Sequence, residues 1–189
     1  MPATHASKTK KARKVAETAD AIALLKADHR AVETLFAAYE EASGKAQKSK
    51  LAQQICMELS IHTMIEEELL YPACRGETDE DLLDEAYVEH DGAKTLIAEL
   101  MNGSPDDEFY DAKVKVLSEM IKHHVKEEEQ RDGLFAQAKN ADIDLDDLGK
   151  RLADRKQELK AHFKETGIPT PTTRSMKGAE LEHGQPLED

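Results

Sequence analysis

The sequence contains no tryptophan, and aromatic residues make up only 4% of it. A core built from it must rest on Leu, Ile, Val, Ala and Met, as packed helices often do. Cysteine is equally scarce. Cys56 and Cys74 match no zinc or redox spacing, so a disulfide scaffold is excluded and two reduced thiols of a cytoplasmic protein are expected. No apolar run approaches the roughly 18 residues that a membrane-spanning helix needs. The N-terminus shows no apolar segment of a secretory leader. Basic residues are outnumbered, 26 against 39 acidic, for a net charge of −13. No nucleic-acid contact is therefore expected from the body of the chain, because such a surface is basic. Repeats of solenoid type are absent.

The 189 residues suit one domain with tails. Lys8, Lys10, Lys11, Arg13 and Lys14 lie in a stretch without acids, so residues 1–17 are expected to form a disordered basic arm. Residues 18–140 carry four segments of helical periodicity. The first runs to about residue 43 from a cap at Thr18 or Asp20, with an inward stripe of Ile22, Leu25, His29, Val32, Phe36 and Tyr39. The second, over 45–71, has Leu51, Ile55, Leu59, His62, Glu66, Leu69 and Leu70. The third, over 79–101, has Leu83, Ala86, Tyr87, His90, Ala93, Ile97 and Leu100. The fourth, over 106–139, has Val114, Leu117, Ile121, His124, Glu128, Arg131 and Phe135, with Gly133 as an interior weak point. A charged outer helix is expected within 141–165 on Leu145, Leu148, Leu152 and Leu159. Residues 166–189 read as a disordered tail. The predicted fold is all-α, an up-down-up-down four-helix bundle with an additional C-terminal helix.

The apolar stripes are interrupted by polar residues at one level. His62 and Glu66 are four apart, as are His124 and Glu128, so each pair shares a helix face. Counted from the breaks at Gly44, Gly76 and Ser104, His29, His62 and His90 fall at nearly equal heights. His124 is offset by about 9 Å on ideal helices, which a later start to its helix would absorb. Two buried carboxylates in one layer repel each other and are costly without compensation. The nearest cation on a stripe is Arg131, toward the end of the bundle. Metal cations would neutralise Glu66 and Glu128 and take the four imidazoles as neutral ligands.

The donor arithmetic suits two iron ions, with an oxo or hydroxo bridge and about two positions left for a small ligand; manganese or zinc would also fit. His123 lies about 100° round the helix from His124 and is expected to face solvent or a neighbour. Glu67, Glu68, Glu127 and Glu129 are read as a solvated face or as support for the site. His5, His162 and His183 are assigned nothing.

These residues resemble the hemerythrin-like, or HHE cation-binding, domain family. The matching segments are Asp28-His29-Arg30, His62-Thr-Met-Ile-Glu66 through Tyr71-Pro72, Glu89-His90, and His124-Val-Lys-Glu-Glu128-Glu129 with Leu134-Phe135. The resemblance spans about residues 20–140 and implies a non-haem di-iron centre. His29, His62, His90 and His124 would be terminal ligands, and Glu66 and Glu128 bridging carboxylates. The family's oxygen carriers place a second His one turn from the first on the third helix. Here those positions are Ala86 and Lys94, and Tyr87 is expected to pack in the core. The resemblance thus points away from simple oxygen carriage, toward binding or sensing of O2, peroxide or NO. Catalase- or peroxidase-like turnover, iron delivery and iron–sulfur cluster repair are its alternatives. Oligomeric state is not legible.

Overall fold

Asp20 opens the first helix, α1 (Ala21–Glu41), by accepting a 2.7 Å hydrogen bond from the N–H of Ala23. The protein is described by a computed structural model over residues 19–176. The basic arm expected over 1–17 lies outside the described residues. All regular elements among the described residues are helical.

Helix α2 (Lys45–Ile65) runs into a π-helical segment, Glu66–Leu70, and then into the short α3 (Tyr71–Cys74). Helix α4 (Glu80–Asn102) is capped by Asp79. The fourth predicted helix is not continuous. It divides into α5 (Tyr110–Glu129) and α6 (Leu134–Asn140). Gly133 sits at the division, where an added Cβ would lie 2.1 Å from the carbonyl oxygen of Glu127. The chain therefore doubles back at a spacing that only glycine allows. Arg131 falls in this connection and is exposed rather than part of the inward stripe. Helix α7 (Leu145–Thr166) follows, capped by Asp144.

Helices α1, α2, α4 and α5 pack as a closed ring of neighbours, α1 on α2, α2 on α4, α4 on α5 and α5 on α1. Helix α7 lies against α1 and α2 and buries Leu148, Leu152, Leu159 and Phe163. Each such side chain gains about 2 kcal/mol from leaving water, before conformational entropy is charged. The close approach of α7 depends on Gly149, where a Cβ would meet the carbonyl oxygen of Ala19 at 2.6 Å.

Residues 167–176, expected as disordered tail, instead return along the ring to α4. The buried carboxylate of Asp91 accepts hydrogen bonds from the N–H groups of Arg174, Ser175 and Met176 and from the Ser175 hydroxyl. The Arg174 guanidinium lies 4.2 Å from the centre of the Tyr87 ring. Residues 177–189 lie outside the described residues.

The interior falls into two apolar clusters. One contains Ile22, Leu25, Ile65, Leu70, Phe135 and Leu152. The other contains Val32, Phe36, Ile55, Leu59, Ile97 and Leu117. The interrupted stripes of the sequence lie between them as a polar layer.

Candidate metal centre

All six candidate ligands meet in that layer. His29 comes from α1, His62 from α2, Glu66 from the start of the π-helical segment, His90 from α4, and His124 and Glu128 from α5. Each is at most 6% exposed, and Glu66 is fully buried. The height mismatch predicted for His124 disappears because α5 begins at Tyr110 rather than near residue 106, which puts His124 level with the others.

The imidazoles point inward in pairs. The Nε2 atoms of His29 and His62 are 3.1 Å apart, and those of His90 and His124 are 3.3 Å apart. Glu66 Oε2 lies 3.2 Å from His62 Nε2 and 3.4 Å from His90 Nε2. Glu128 Oε2 lies 3.4 Å from His29 Nε2 and 3.5 Å from His124 Nε2. Each carboxylate thus faces one imidazole of each pair. The donors form two adjacent sets, His29, His62, Glu66 and Glu128 beside Glu66, His90 and His124, with Glu66 common to both.

A ring of acids surrounds the layer and orients it. His29 Nδ1 contacts Glu129 at 2.8 Å, His90 Nδ1 contacts Glu67 at 3.0 Å, and His124 Nδ1 contacts Glu89 at 2.7 Å. Asp28 approaches His62 Nδ1 less closely, at 3.8 Å. Every one of these acids adjoins one candidate ligand in sequence and faces a histidine on the next helix, three of them within hydrogen-bond distance, while His62 Nδ1 has no hydrogen-bond partner. The cycle runs from α1 to α2, from the π-helical segment to α4, from α4 to α5, and from α5 back to α1. A carboxylate on Nδ1 holds the proton there and leaves the Nε2 lone pair facing inward, as a metal ligand requires. Sequence reads Glu67 and Glu129 only as a solvated face or as support for the site, and it assigns Asp28 and Glu89 no such role. The available signal is an acid next to a candidate ligand in each of the four segments.

Burial sets the charge states. It pushes the Glu66 carboxyl well above the ordinary range, and the nearby Glu128 carboxylate adds to the effect. Burial likewise raises Glu128, although His124 and His62 oppose it. It holds His29 and His90 neutral, with neighbouring imidazoles adding to the effect. For His124 burial also opposes charging, but Glu128 and Glu89 outweigh it and the balance is upward. Both oxygens of Glu66 and Oε2 of Glu128 are buried without a hydrogen-bond partner. Orphaned carboxylate oxygens facing inward imidazoles are the environment that a bound cation satisfies.

Tyr71 was not singled out by sequence. Its hydroxyl lies 3.1 Å from His90 Nε2 and 3.4 Å from Glu128 Oε1. The π-helical segment explains both its position and the omission. Its extra residue per turn moves the inward face from Leu69 and Leu70 to Leu70 and Tyr71, both fully buried. The phenol thus reaches the three-donor set, beside which Ala86 and Lys94 supply no ligand. Lys94 turns to Glu67 and Asp91 instead. Tyr87 packs edge-on against Tyr71, in the core as expected.

The profile of the hemerythrin HHE cation binding domain matches residues 20–133. The chain belongs to that family. The fold of a hemerythrin HHE cation binding domain-containing protein from Mycobacterium kansasii, known from a crystal structure, is similar with a TM-score of 0.68 and 25% identity. That match covers 79% of this chain and 95% of the other. A protein of Nostoc sp. named DNA nickase is 29% identical over 117 residues, covering 62% of this chain. The chain spans only 33% of that relative's length. Like other HHE domains, this one presents a His and Glu donor set for metal cations. No helix among the described residues is long and apolar enough to cross a membrane.

Proposed function

We propose that this HHE domain is a non-haem di-iron protein that binds or senses a small oxidant such as O2, peroxide or NO. In this reading the ring of α1, α2, α4 and α5 is an up-down-up-down four-helix bundle, with α7 as its additional helix. His29, His62, His90 and His124 hold the metals terminally, and Glu66 and Glu128 bridge them. The observation that carries the reading is Glu66, fully buried, with neither oxygen hydrogen-bonded and an imidazole Nε2 on each side. Mixed imidazole and carboxylate donors suit iron, which when bound supplies an open coordination position and redox chemistry.

The chain's own residues then select the ligand. A small cavity beside the layer is lined by His29, His62, His90 and His124 and by Val32, Leu59, Ile121 and Val125. It has room for about one water molecule. A polymer does not fit there, whereas a small ligand could take the place of that water. DNA nicking, the activity in the Nostoc relative's name, is therefore not the reading this site supports.

Turnover of peroxide is the second reading, and Tyr71 favours it. Burial and the neighbouring Glu66 and Glu128 raise the Tyr71 phenol, so it keeps its proton at neutral pH within the layer. From its place 3.1 Å from His90 Nε2 the phenol would donate a hydrogen bond to an oxidant bound in the layer.

Metal analysis with optical spectroscopy tests the first reading. The purified chain should carry about two irons, and its near-ultraviolet absorption should change on adding NO or peroxide. Glu66→Ala should lose the iron. A wild-type chain that arrives without metal and cannot be reconstituted would overturn the proposal. Oxygen evolution from peroxide, slowed at least about tenfold in an iron-replete Tyr71→Phe variant, would establish turnover.

A further inference from the structure

The buried layer leaves one His-x-x-x-Glu pair unused. His123 and Glu127 repeat the spacing of His124 and Glu128 one residue out of register, so they face outward from α5. Glu89 of α4 meets them there. His123 Nε2 lies 3.3 Å from Glu89 Oε1 and 3.2 Å from Glu127 Oε1. One ligand atom from each of the three residues lies within 4.8 Å of the others. The His123 side chain is 61% exposed, so the group can be reached from solvent.

The setting distinguishes this group from a chance ion pair. It sits in a surface hollow that also contains Asp81, Asp84 and Glu85, and no Lys or Arg lines that hollow. Arg75 reaches Asp84 but not the other four acids. A second, smaller hollow shares Glu89 and Glu127 with the first. It ends on His124 and Glu128, the latter carrying the buried, unpartnered Oε2. Glu89 links the two places directly, with Oε1 on His123 and Oε2 on His124 Nδ1.

We infer that Glu89, His123 and Glu127 form a surface capture site for a divalent transition cation, at the mouth of a route into the buried layer. One imidazole and two carboxylates suit Fe(II), Mn(II) or Zn(II), and the exposed side leaves room for water to complete the shell. The acidic hollow concentrates cations by its field. The capture site stands on its own geometry, whereas its feeding role rests on the buried layer being a metal centre.

Two measurements test the two halves. Iron-loaded full-length protein is titrated with Mn2+, and free Mn2+ is followed by electron paramagnetic resonance. About one Mn2+ per chain should be taken up, with affinity weakened at least about tenfold by His123→Ala or Glu127→Gln and unchanged by His162→Ala. Uptake of no Mn2+, or uptake indifferent to His123→Ala, would overturn the capture site. Metal-free protein is then mixed with Fe(II) without oxygen. His123→Ala should fill several-fold more slowly than the wild type and reach the same final iron content. Equal filling rates would overturn the feeding role. A wild-type chain that takes up no iron would overturn the buried centre and the feeding role together; the Mn2+ titration, then run on the iron-free chain with the same variants, still decides the surface site.

Discussion

Four acids, Asp28, Glu67, Glu89 and Glu129, stand behind four imidazoles, and each lies on a different helix from the histidine it serves. Their worth is orientational. An imidazole left to rotate, or to move its proton to Nε2, presents no lone pair to a cation. Glu129 shows the arrangement clearly, since Lys26 and Arg30 compensate its charge while it holds His29. Glu129→Gln keeps the shape and removes the charge. It should lower cation affinity about 10–100-fold in chelator competition while circular dichroism stays unchanged. Unchanged affinity would reduce the ring to surface ion pairs. The six residues of the layer were legible from spacing, because a His or Glu inside an apolar stripe conflicts with burial. Their supporting acids were not, because an acid one position away reads as solvent-facing until the neighbouring helix is in place.

Two departures from regular helix position the site. The π-helical segment Glu66–Leu70 lets one strand of chain present both Glu66 and Tyr71 inward. The break at Gln130–Gly133 ends α5 immediately after Glu128 and Glu129 and sends Phe135 back to stack on His29, with ring centres 5.6 Å apart. Gly133→Ala would drive a Cβ against the carbonyl oxygens of Glu127 and Glu128. We expect a loss of about 2 kcal/mol, read as a fall in melting temperature of about 4–8 °C, together with reduced cation content. A melting temperature within a degree of the wild type would show that the break tolerates the methyl group. Neither departure was readable from periodicity. A single extra residue in a turn leaves no mark on a stripe, and Gly133 in a helical pattern reads as a weak point rather than an end.

Across the whole molecule, α7 and the returning segment 167–176 close the outside of the ring. Lys156 of α7 pairs with Asp28, and Arg155 pairs with Glu68. The segment passes Glu67 and Lys94 through Pro169, Thr170, Pro171 and Thr172 before it reaches Asp91. Burial alone would raise the Asp91 carboxyl, but the Ser175 hydroxyl and the N–H groups of residues 174–176 hold it down to about 2. A carboxylate depressed on docking contributes stability that is fully present above its ordinary value of 3.8 and lost as pH falls through about 2. Docking should therefore be indifferent to pH from 4 to 8 and weaken only in stronger acid. Asp91→Asn removes the charge and should speed amide exchange of residues 174–176 at pH 7 and quicken cation removal by a chelator. Exchange equal to the wild type would show that the segment is held by its prolines and Arg174 instead.

The sequence alone determined the all-helical class, the four stripes and the six residues of the layer, because helical spacing and the cost of burying charge are local facts. It also placed the family, since four short segments in order carry the donor set. Tertiary structure decided what depends on one helix meeting another: the carboxylate behind each histidine, Tyr71 in the gap beside His90, and the docking of 167–176 on Asp91. A side chain's partner across the ring is set by packing and by turn geometry, and neither is written in the spacing of a single segment.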